Sequence, residues 1–323
     1  MKWFVSGSAG FIGSNLCEVL IKSGHQVVGI DNFSTGKQEN VNRVSSLKDD
    51  AYHFYDGDIC DQELVKKLLD DVDIFVHLAG QVSVIKSFLD LPLNNRVNID
   101  GFVSALLASM DANVKKFIYA SSCAVYGDSV ELPLCECGPV SPLSPYATSK
   151  LMNEYLASNM SSINPDIQII GLRFFNIFGP WQDPAGDYSA VIPKWIDLIL
   201  KNQQPVIFGN GEATRDFCYV ENVCNLIERL GKIPHIFFSD IFNIASGSSI
   251  NLTKLANLIL STIQRSGVDT GELQPLYEDM RVGEIVHSSA SINKAQTILG
   301  FDPKIDLNTG IENILRFQYG FRI

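Results

Sequence analysis

The sequence predicts an α/β chain: a doubly wound parallel sheet with a smaller C-terminal α/β domain interleaved into it. Three observations carry that reading. Short apolar runs alternate with longer amphipathic stretches through the first half, and a glycine-rich turn joins the first run to the first amphipathic stretch. Beyond residue 172 the alternation loosens, and Gly and Pro enter at 179–186 and 209–211. Parallel strands need crossovers, and helical crossovers cover both faces of a sheet.

Residues 3–5, 26–30, 73–78, 117–120 and 168–172 have the length and the Val, Ile and Phe content of buried strands. Between them, 11–22, 61–70, about 92–111 and 146–160 repeat apolar residues at intervals of three and four, the spacing of one helix face. Asp61 is placed as an N-cap, with Leu64, Leu68 and Leu69 inward. The expected division is a first domain over 1–175 that takes back a segment at about 214–245, and a second mainly over 176–323. No internal repeat, low-complexity tract or long linker separates the two.

Composition narrows the function. Of 323 residues, 25 are Lys or Arg and 36 Asp or Glu, a net charge of -11 that argues against sequence-independent nucleic-acid binding. No apolar run approaches the ~18–20 residues of a membrane span. The start, Met1-Lys2-Trp3-Phe4-Val5, runs straight into the glycine turn and does not read as a signal peptide. Seven cysteines, scattered and odd in number, read as a reduced intracellular set, so the cytoplasm is the expected location. Cys135-x-Cys137 lacks a second ligand pair or a nearby His, so no metal is expected there and the pair reads as a loop coincidence.

The turn after the first strand is Gly7-Ser8-Ala9-Gly10-Phe11-Ile12-Gly13. Its first glycine permits the tight turn, its second lets the backbone approach a pyrophosphate, and its third lets the helix lie close to the sheet. The helix N-terminus then offers free N–H groups to phosphate. The second strand ends at Asp31, an acid able to accept both ribose hydroxyls of NAD and to repel the 2′-phosphate of NADP. Asn32, Ser34, Thr35 and Gly36 continue as a polar loop suited to that ribose. Asp58-Ile59 and Leu78-Ala79-Gly80 fall at further strand ends, where a dinucleotide crosses the carboxyl edge of the sheet.

Of ten tyrosines, only Tyr146 has a lysine four residues on, Lys150. Ser141-Pro142-Leu143-Ser144-Pro145 ends just before an amphipathic stretch, which puts both side chains on one face near a helix N-terminus. Ser121-Ser122 closes the nearby strand. A phenol of pKa ~10 is a poor base at neutral pH, and a neighbouring ammonium or nicotinamide ring would favour phenolate.

Gly7-x-x-Gly10-x-x-Gly13, Asp31, Ser122, Tyr146-x-x-x-Lys150 and Arg173-Phe174-Phe175-Asn176 together resemble the extended short-chain dehydrogenase/reductase family, whose fold is the Rossmann type. The likeness is to its nucleotide-sugar epimerase branch and covers nearly the whole chain. Residues 182–195 and Arg215-Asp216-Phe217-Cys218-Tyr219 resemble a narrower group, the bacterial UDP-N-acetylhexosamine and hexosaminuronate 4-epimerases. The resemblance implies that Tyr146 takes the proton of the sugar 4-hydroxyl while the C4 hydride passes to tightly held NAD. Ser122 would bond the same oxygen, and Lys150 would hold the nicotinamide ribose and lower the Tyr146 pKa. The 4-keto sugar then turns over and is reduced on its other face.

The same resemblance adds Phe11, Ile12, Asn98 and Phe175 to the cofactor contacts. It assigns Ser83, Asn176, Ala190, Val191, Val206, Phe208, Arg215 and Arg281 to the UDP-sugar, with the two arginines clamping the pyrophosphate. Ser288 falls where a bulky residue would restrict the site to plain hexoses and a small one admits an N-acetyl group. A homodimer through the helices at about 92–111 and 146–160 is a further implication. Two departures stand out: Cys123-Ala124 where many relatives have another hydroxyl, and Ser291 where they often have Asp. Dehydratases of this kind place an Asp-Glu pair at Cys123-Ala124, which disfavours dehydration. Reduction, decarboxylation and a non-catalytic NAD-binding module are the remaining alternatives.

Overall fold

A computed structural model describes residues 1–129, 131–185, 190–234, 239–279 and 287–322. They fall into two compact units, each discontinuous in sequence. The first comprises Met1–Gly127, Pro139–Phe174 and Cys224–Asn243; the second comprises Asp128–Gly138, Phe175–Val223 and Ile244–Ile323.

The strands of the first unit are β1 (Lys2–Ser6), β2 (Gln26–Asp31), β3 (Tyr52–Asp56), β4 (Ile74–His77), β5 (Lys116–Ser122) and β6 (Gln168–Phe174). A seventh, Ser239–Ile244, lies beside β6, and the order across the sheet continues β6, β5, β4, β1, β2, β3. The pairs from β3 through to β6 are all parallel. Strand order reverses between β1 and β4, and the carboxyl ends flanking that switch point are where such sheets bind ligands. The connecting helices are α1 (Phe11–Lys22), α2 (Gln38–Ser45), α3 (Gln62–Leu68), α4 (Val84–Leu89), α5 (Leu91–Asn95), α6 (Gly101–Asp111) and α7 (Pro145–Ile163). Phe4, Phe75, Phe102, Phe117 and Tyr119 are buried together, with Phe4 and Phe75 edge-on at 4.6 Å and Phe75 and Phe117 at 5.3 Å.

The expected α/β fold with a doubly wound parallel sheet is the one found. Asp61 caps α3, its Oδ1 accepting from Leu64 N at 3.0 Å. The long helix expected at 92–111 is interrupted by a π-turn over Arg96–Asp100, which separates α5 from α6. The short helices α2 and α4 escape periodicity: α2 is mostly polar, and α4 leaves Phe88 60% exposed.

The second unit holds β7 (Asn176–Phe178), β8 (Val206–Phe208) and β9 (Thr214–Tyr219), with α8 (Val191–Leu200) between the first two. β9 is central in a three-stranded sheet, parallel to β7 and antiparallel to Ser249–Asn251. Residues 214–223 therefore group here and not with the returning segment expected at 214–245. Residues 128–138 also group here, because Leu134 N donates to Ser289 O at 2.8 Å and Leu134 O accepts from Ser291 N at 2.8 Å. In the same segment Cys135 and Cys137 form a disulfide, a correction to the fully reduced cysteine set and to the reading of the pair as coincidence. Their Cα atoms are 5.4 Å apart, within reach of a bridge. The other five cysteines form no disulfide. Among the described residues no helix is long and apolar enough to cross a membrane.

Candidate active site

The fingerprint residues collect at the carboxyl edge of the parallel sheet. Gly7 follows β1 at φ +72°, where an added Cβ would lie 2.8 Å from the Ala79 nitrogen. A Cβ on Gly13 would fall 2.0 Å from the Gly7 carbonyl oxygen, so α1 lies on the turn only because that residue is glycine. Gly10 is different. An added Cβ there would meet only the Gly7 carbonyl, at 3.2 Å, and Gly10 begins α1 with neither a side-chain cap nor an acid in the first turn. That arrangement leaves helix amides to a phosphate. Phe11 and Ile12 follow, both half-buried.

Asp31 braces the turn. Its Oδ2 accepts from Ala9 N at 3.0 Å and its Oδ1 from Phe33 N at 2.9 Å. Burial raises its pKa, and these backbone donors pull it back. Its two oxygens offer about four lone-pair sites, so the carboxylate retains capacity for a ribose diol. Gly36 stands against it, since an added Cβ would lie 2.6 Å from Oδ1, while Asn32, Ser34 and Thr35 are exposed. Asp58 is engaged by Cys60 N at 2.9 Å and Arg96 Nη2 at 2.7 Å, and Ile59 packs in the core. Leu78 N and Ala79 N both donate to Ser6, at its carbonyl and its hydroxyl. Asn98, buried in the π-turn, bonds Gln81 through both ends of its amide and braces that loop from behind.

The catalytic candidates converge beside Gly80. Ser144 Oγ accepts from Ala147 N at 3.1 Å and Pro145 opens α7, which fixes Tyr146 in the first turn. Lys150 follows one turn later, 5% exposed, with Nζ donating to Ala120 O at 3.0 Å and lying 5.9 Å from the Tyr146 ring centre. A Cβ on Gly80 would be 3.6 Å from that same nitrogen. Ser122, the last residue of β5, accepts from Ala124 N at 3.2 Å. Burial pushes the Tyr146 pKa up to about 12; the nearby Ser122 side chain lowers it less, and neighbouring Cys123 raises it. Burial alone takes Lys150 down to about 8. Burial thus dominates, and the phenol is neutral at neutral pH.

The residues expected at the sugar nucleotide lie mostly in the second unit. Asn176 Nδ2 donates to Asp216 O at 2.9 Å, and Arg215 Nη1 to Thr214 O at 2.9 Å. Ala190 precedes α8 and Val191 is its first residue, while Val206 and Phe208 begin and end β8. Phe175, also in this unit, is 3% exposed and its N–H donates to Ile244 O. Ser288 is 7% exposed, and its N–H donates to Thr214 O at 3.0 Å between the bridges Thr214–His287 and Leu134–Ala290. Ser83, in the first unit, caps α4 by accepting from Lys86 N at 3.1 Å. Arg281 lies outside the described residues. Sequence reasoning gave Asp216 no role. It is fully buried and accepts from Ser246 N, Ser246 Oγ and Gly247 N, tying β9 to the following loop. Thr214 and Arg215 precede it in β9, so nothing local in the sequence sets it apart. Among the described residues no cluster of His, Cys, Asp or Glu is arranged for a metal.

The uncapped helix at Gly10, the acid at Asp31 and the gap at Gly80 beside Lys150 fit a dinucleotide. Residues 3–245 match the NAD-dependent epimerase/dehydratase family. The chain belongs to that family. NAD is its cofactor, and it is an isomerase of the nucleotide-sugar 4-epimerase kind. This epimerase is 34% identical over 318 residues, 97% of each chain, to a putative UDP-glucose 4-epimerase of Methanocaldococcus jannaschii. Among solved structures it resembles the UDP-N-acetylglucosamine 4-epimerase of Methanobrevibacter ruminantium M1 in complex with UDP-N-acetylmuramic acid. That match has a TM-score of 0.89 and 32% identity over 98% of this chain and 97% of the other. A UDP-glucose 4-epimerase of Stenotrophomonas maltophila with bound NAD gives a TM-score of 0.90 at 26% identity, over 99% and 98% of the chains.

Proposed function

We propose that this epimerase interconverts the C4 epimers of a UDP-N-acetylated hexosamine, UDP-GlcNAc and UDP-GalNAc or their uronate forms. The observation that carries the substrate class is Ser288. A small residue stands where the family resemblance puts the wall around the sugar C2 substituent, and its backbone is held by Thr214 O. The likeness to a UDP-N-acetylglucosamine 4-epimerase supports the same reading.

Gly10, α1 and Asp31 would hold NAD by its pyrophosphate and ribose, with Lys150 reaching the second ribose beside Gly80. When bound, NAD supplies hydride acceptance and return at the sugar C4. As phenolate, Tyr146 would accept the 4-hydroxyl proton on Oη, becoming the phenol, and give it back when the keto sugar, turned over, is reduced. Ser122 would hydrogen-bond the same substrate oxygen. A neutral phenol at about 12 is an inefficient base, and general bases work best near the operating pH. Added positive charge at the reacting end would draw it down. We further propose a homodimer through α6 and α7, on which Leu107 is 36%, Met152 45% and Tyr155 57% exposed; light scattering that shows a monomer would overturn it.

The test is incubation with UDP-GlcNAc, UDP-Glc and UDP-GlcNAc-uronate, with products read by NMR. Conversion of an N-acetylated sugar is expected. Conversion of UDP-Glc alone would overturn the substrate class, and conversion of none would overturn the reaction on UDP-sugars.

A further inference from the structure

Ser121, Glu154 and Arg173 form a buried polar tie that the chemistry above leaves unused. The Arg173 and Glu154 side chains are 5% and 8% exposed. Arg173 donates from Nε to Glu154 Oε1 at 2.9 Å and from Nη2 to Oε2 at 2.7 Å, a two-pronged fork. Ser121 Oγ donates to the same Oε1 at 2.5 Å. Three elements meet in this group: Ser121 on β5, Arg173 opposite it in register on β6, and Glu154 on α7.

Every arm leads to the catalytic trio. Ser121 adjoins Ser122, and Glu154 stands one turn beyond Lys150 and two beyond Tyr146. The Arg173 guanidinium carbon lies 4.7 Å over the ring of Tyr126, which ends the turn that Ser122 begins. The Tyr126 hydroxyl donates to Asn243 Oδ1 at 2.7 Å. Ser122 is therefore held on both sides by the group that also grips α7.

A buried ion pair is a poor way to gain stability, because well-packed apolar residues often do as well or better. A fork fixes direction and register, which apolar contact does not. The hydroxyls of Ser122 and Tyr146 come from different elements and must meet within a few tenths of an ångström, so register is what the site needs. We propose that Glu154 is a positioning residue for Tyr146: through Ser121 and Arg173 it sets the registry of α7 against β5 and with it the placement of Ser122 relative to the Tyr146 phenol. The inference rests on the reading of Tyr146 as the group that takes the substrate proton.

Tyrosine labelled with carbon-13 at Cζ reports the hydrogen bonding of Tyr146 by NMR without substrate, with Tyr146→Phe giving the assignment. Ser121→Ala leaves the Arg173–Glu154 pair intact. It is expected to move the Tyr146 signal, lower kcat about tenfold at an unchanged KM, and raise the pH of the acid limb of the rate profile. Glu154→Gln should do the same more strongly; if it does not fold, Ser121→Ala alone decides. An unmoved Tyr146 signal with wild-type kcat and pH profile in Ser121→Ala would overturn the proposal. A moved signal supports the tie even where the wild type converts no UDP-sugar, an outcome that sinks the functional reading and not this one.

Discussion

Lys150→Met is expected to make the protein more stable while abolishing turnover. Burial takes the lysine from 10.5 to about 8, so at neutral pH the folded chain carries an ammonium that it would rather not bury. A shift of that size corresponds to about 3 kcal/mol of destabilisation while the group is charged in both folded and unfolded states. Methionine has similar length and no charge. It forfeits the bond from Nζ to Ala120 O, an interaction of about 1 kcal/mol. The net gain at neutral pH is then about 2 kcal/mol.

The pH dependence identifies the cause. Below about 8, both states of the wild type hold the proton and the penalty is complete. Between about 8 and 10.5 the unfolded chain binds more protons than the folded one, so the Lys150 contribution to stability rises with pH. Above 10.5 both forms are neutral and the penalty is gone. The advantage of the methionine variant should therefore shrink on going from neutral pH to about pH 10 and vanish or reverse above that. Denaturant unfolding of wild type and variant, followed by the fluorescence of buried Trp3 in the same unit, measures the difference at each pH. An advantage that stays constant with pH would refute desolvation as its cause, and a destabilised variant at neutral pH would refute the whole argument.

Tyr146→Phe should retain NAD binding and the fold but lose turnover at least ~10²-fold, the low end for a general base; wild-type rates would remove Tyr146 from the mechanism. Asp31→Asn keeps an acceptor for the backbone bond at Ala9 or Phe33 and removes the repulsive charge, so the ratio of NAD to NADP affinity should fall. An unchanged ratio in titrations of the two cofactors would place the choice elsewhere. Ser288→Tyr should cut kcat/KM for UDP-GlcNAc by at least ~10-fold, about 1.4 kcal/mol, while sparing UDP-Glc. Equal losses on both sugars would mean general damage, and no loss would mean that the gate lies at another residue.

What could be read from the chain was local. β1, β2, β4, β5 and β6 are apolar runs bounded by turns, and they lie within two residues of their expected ends. The edge strand β3 has a weaker pattern because only Tyr52 in it is buried. The π-turn at Arg96–Asp100 left no trace in periodicity, since the Asn98 amide that braces the Gly80–Gln81 loop bonds across the fold. The grouping of residues 128–138 with the second unit escaped the sequence for the same reason. Leu134 pairs with Ser289 and Ser291, and nothing near Leu134 in sequence announces those partners. The placement of Ser122, Tyr146 and Lys150 was legible because strand end, helix cap and one helical turn are short-range features. Glu154 and Asp216 look like ordinary surface acids until their buried donors are located.

The pKa values of Tyr146 and Lys150, the proposed catalytic pair, bear on why the site is built in this way. Tyr146 at about 12 and Lys150 at about 8 are each displaced by burial toward the neutral form. A site designed only for stability would avoid both groups, and one designed only for basicity would leave the phenol wet. Burial does something else: it strengthens every later electrostatic contact in the same space. Positive charge placed near a buried phenol lowers its pKa more than the same charge would in water, so the desolvation that makes Tyr146 inert makes it responsive. That responsiveness requires a fixed geometry, because among the described residues it is the nearby Ser122 side chain that draws the phenol downward. The buried tie through Ser121, Glu154 and Arg173 is where the fold supplies that geometry.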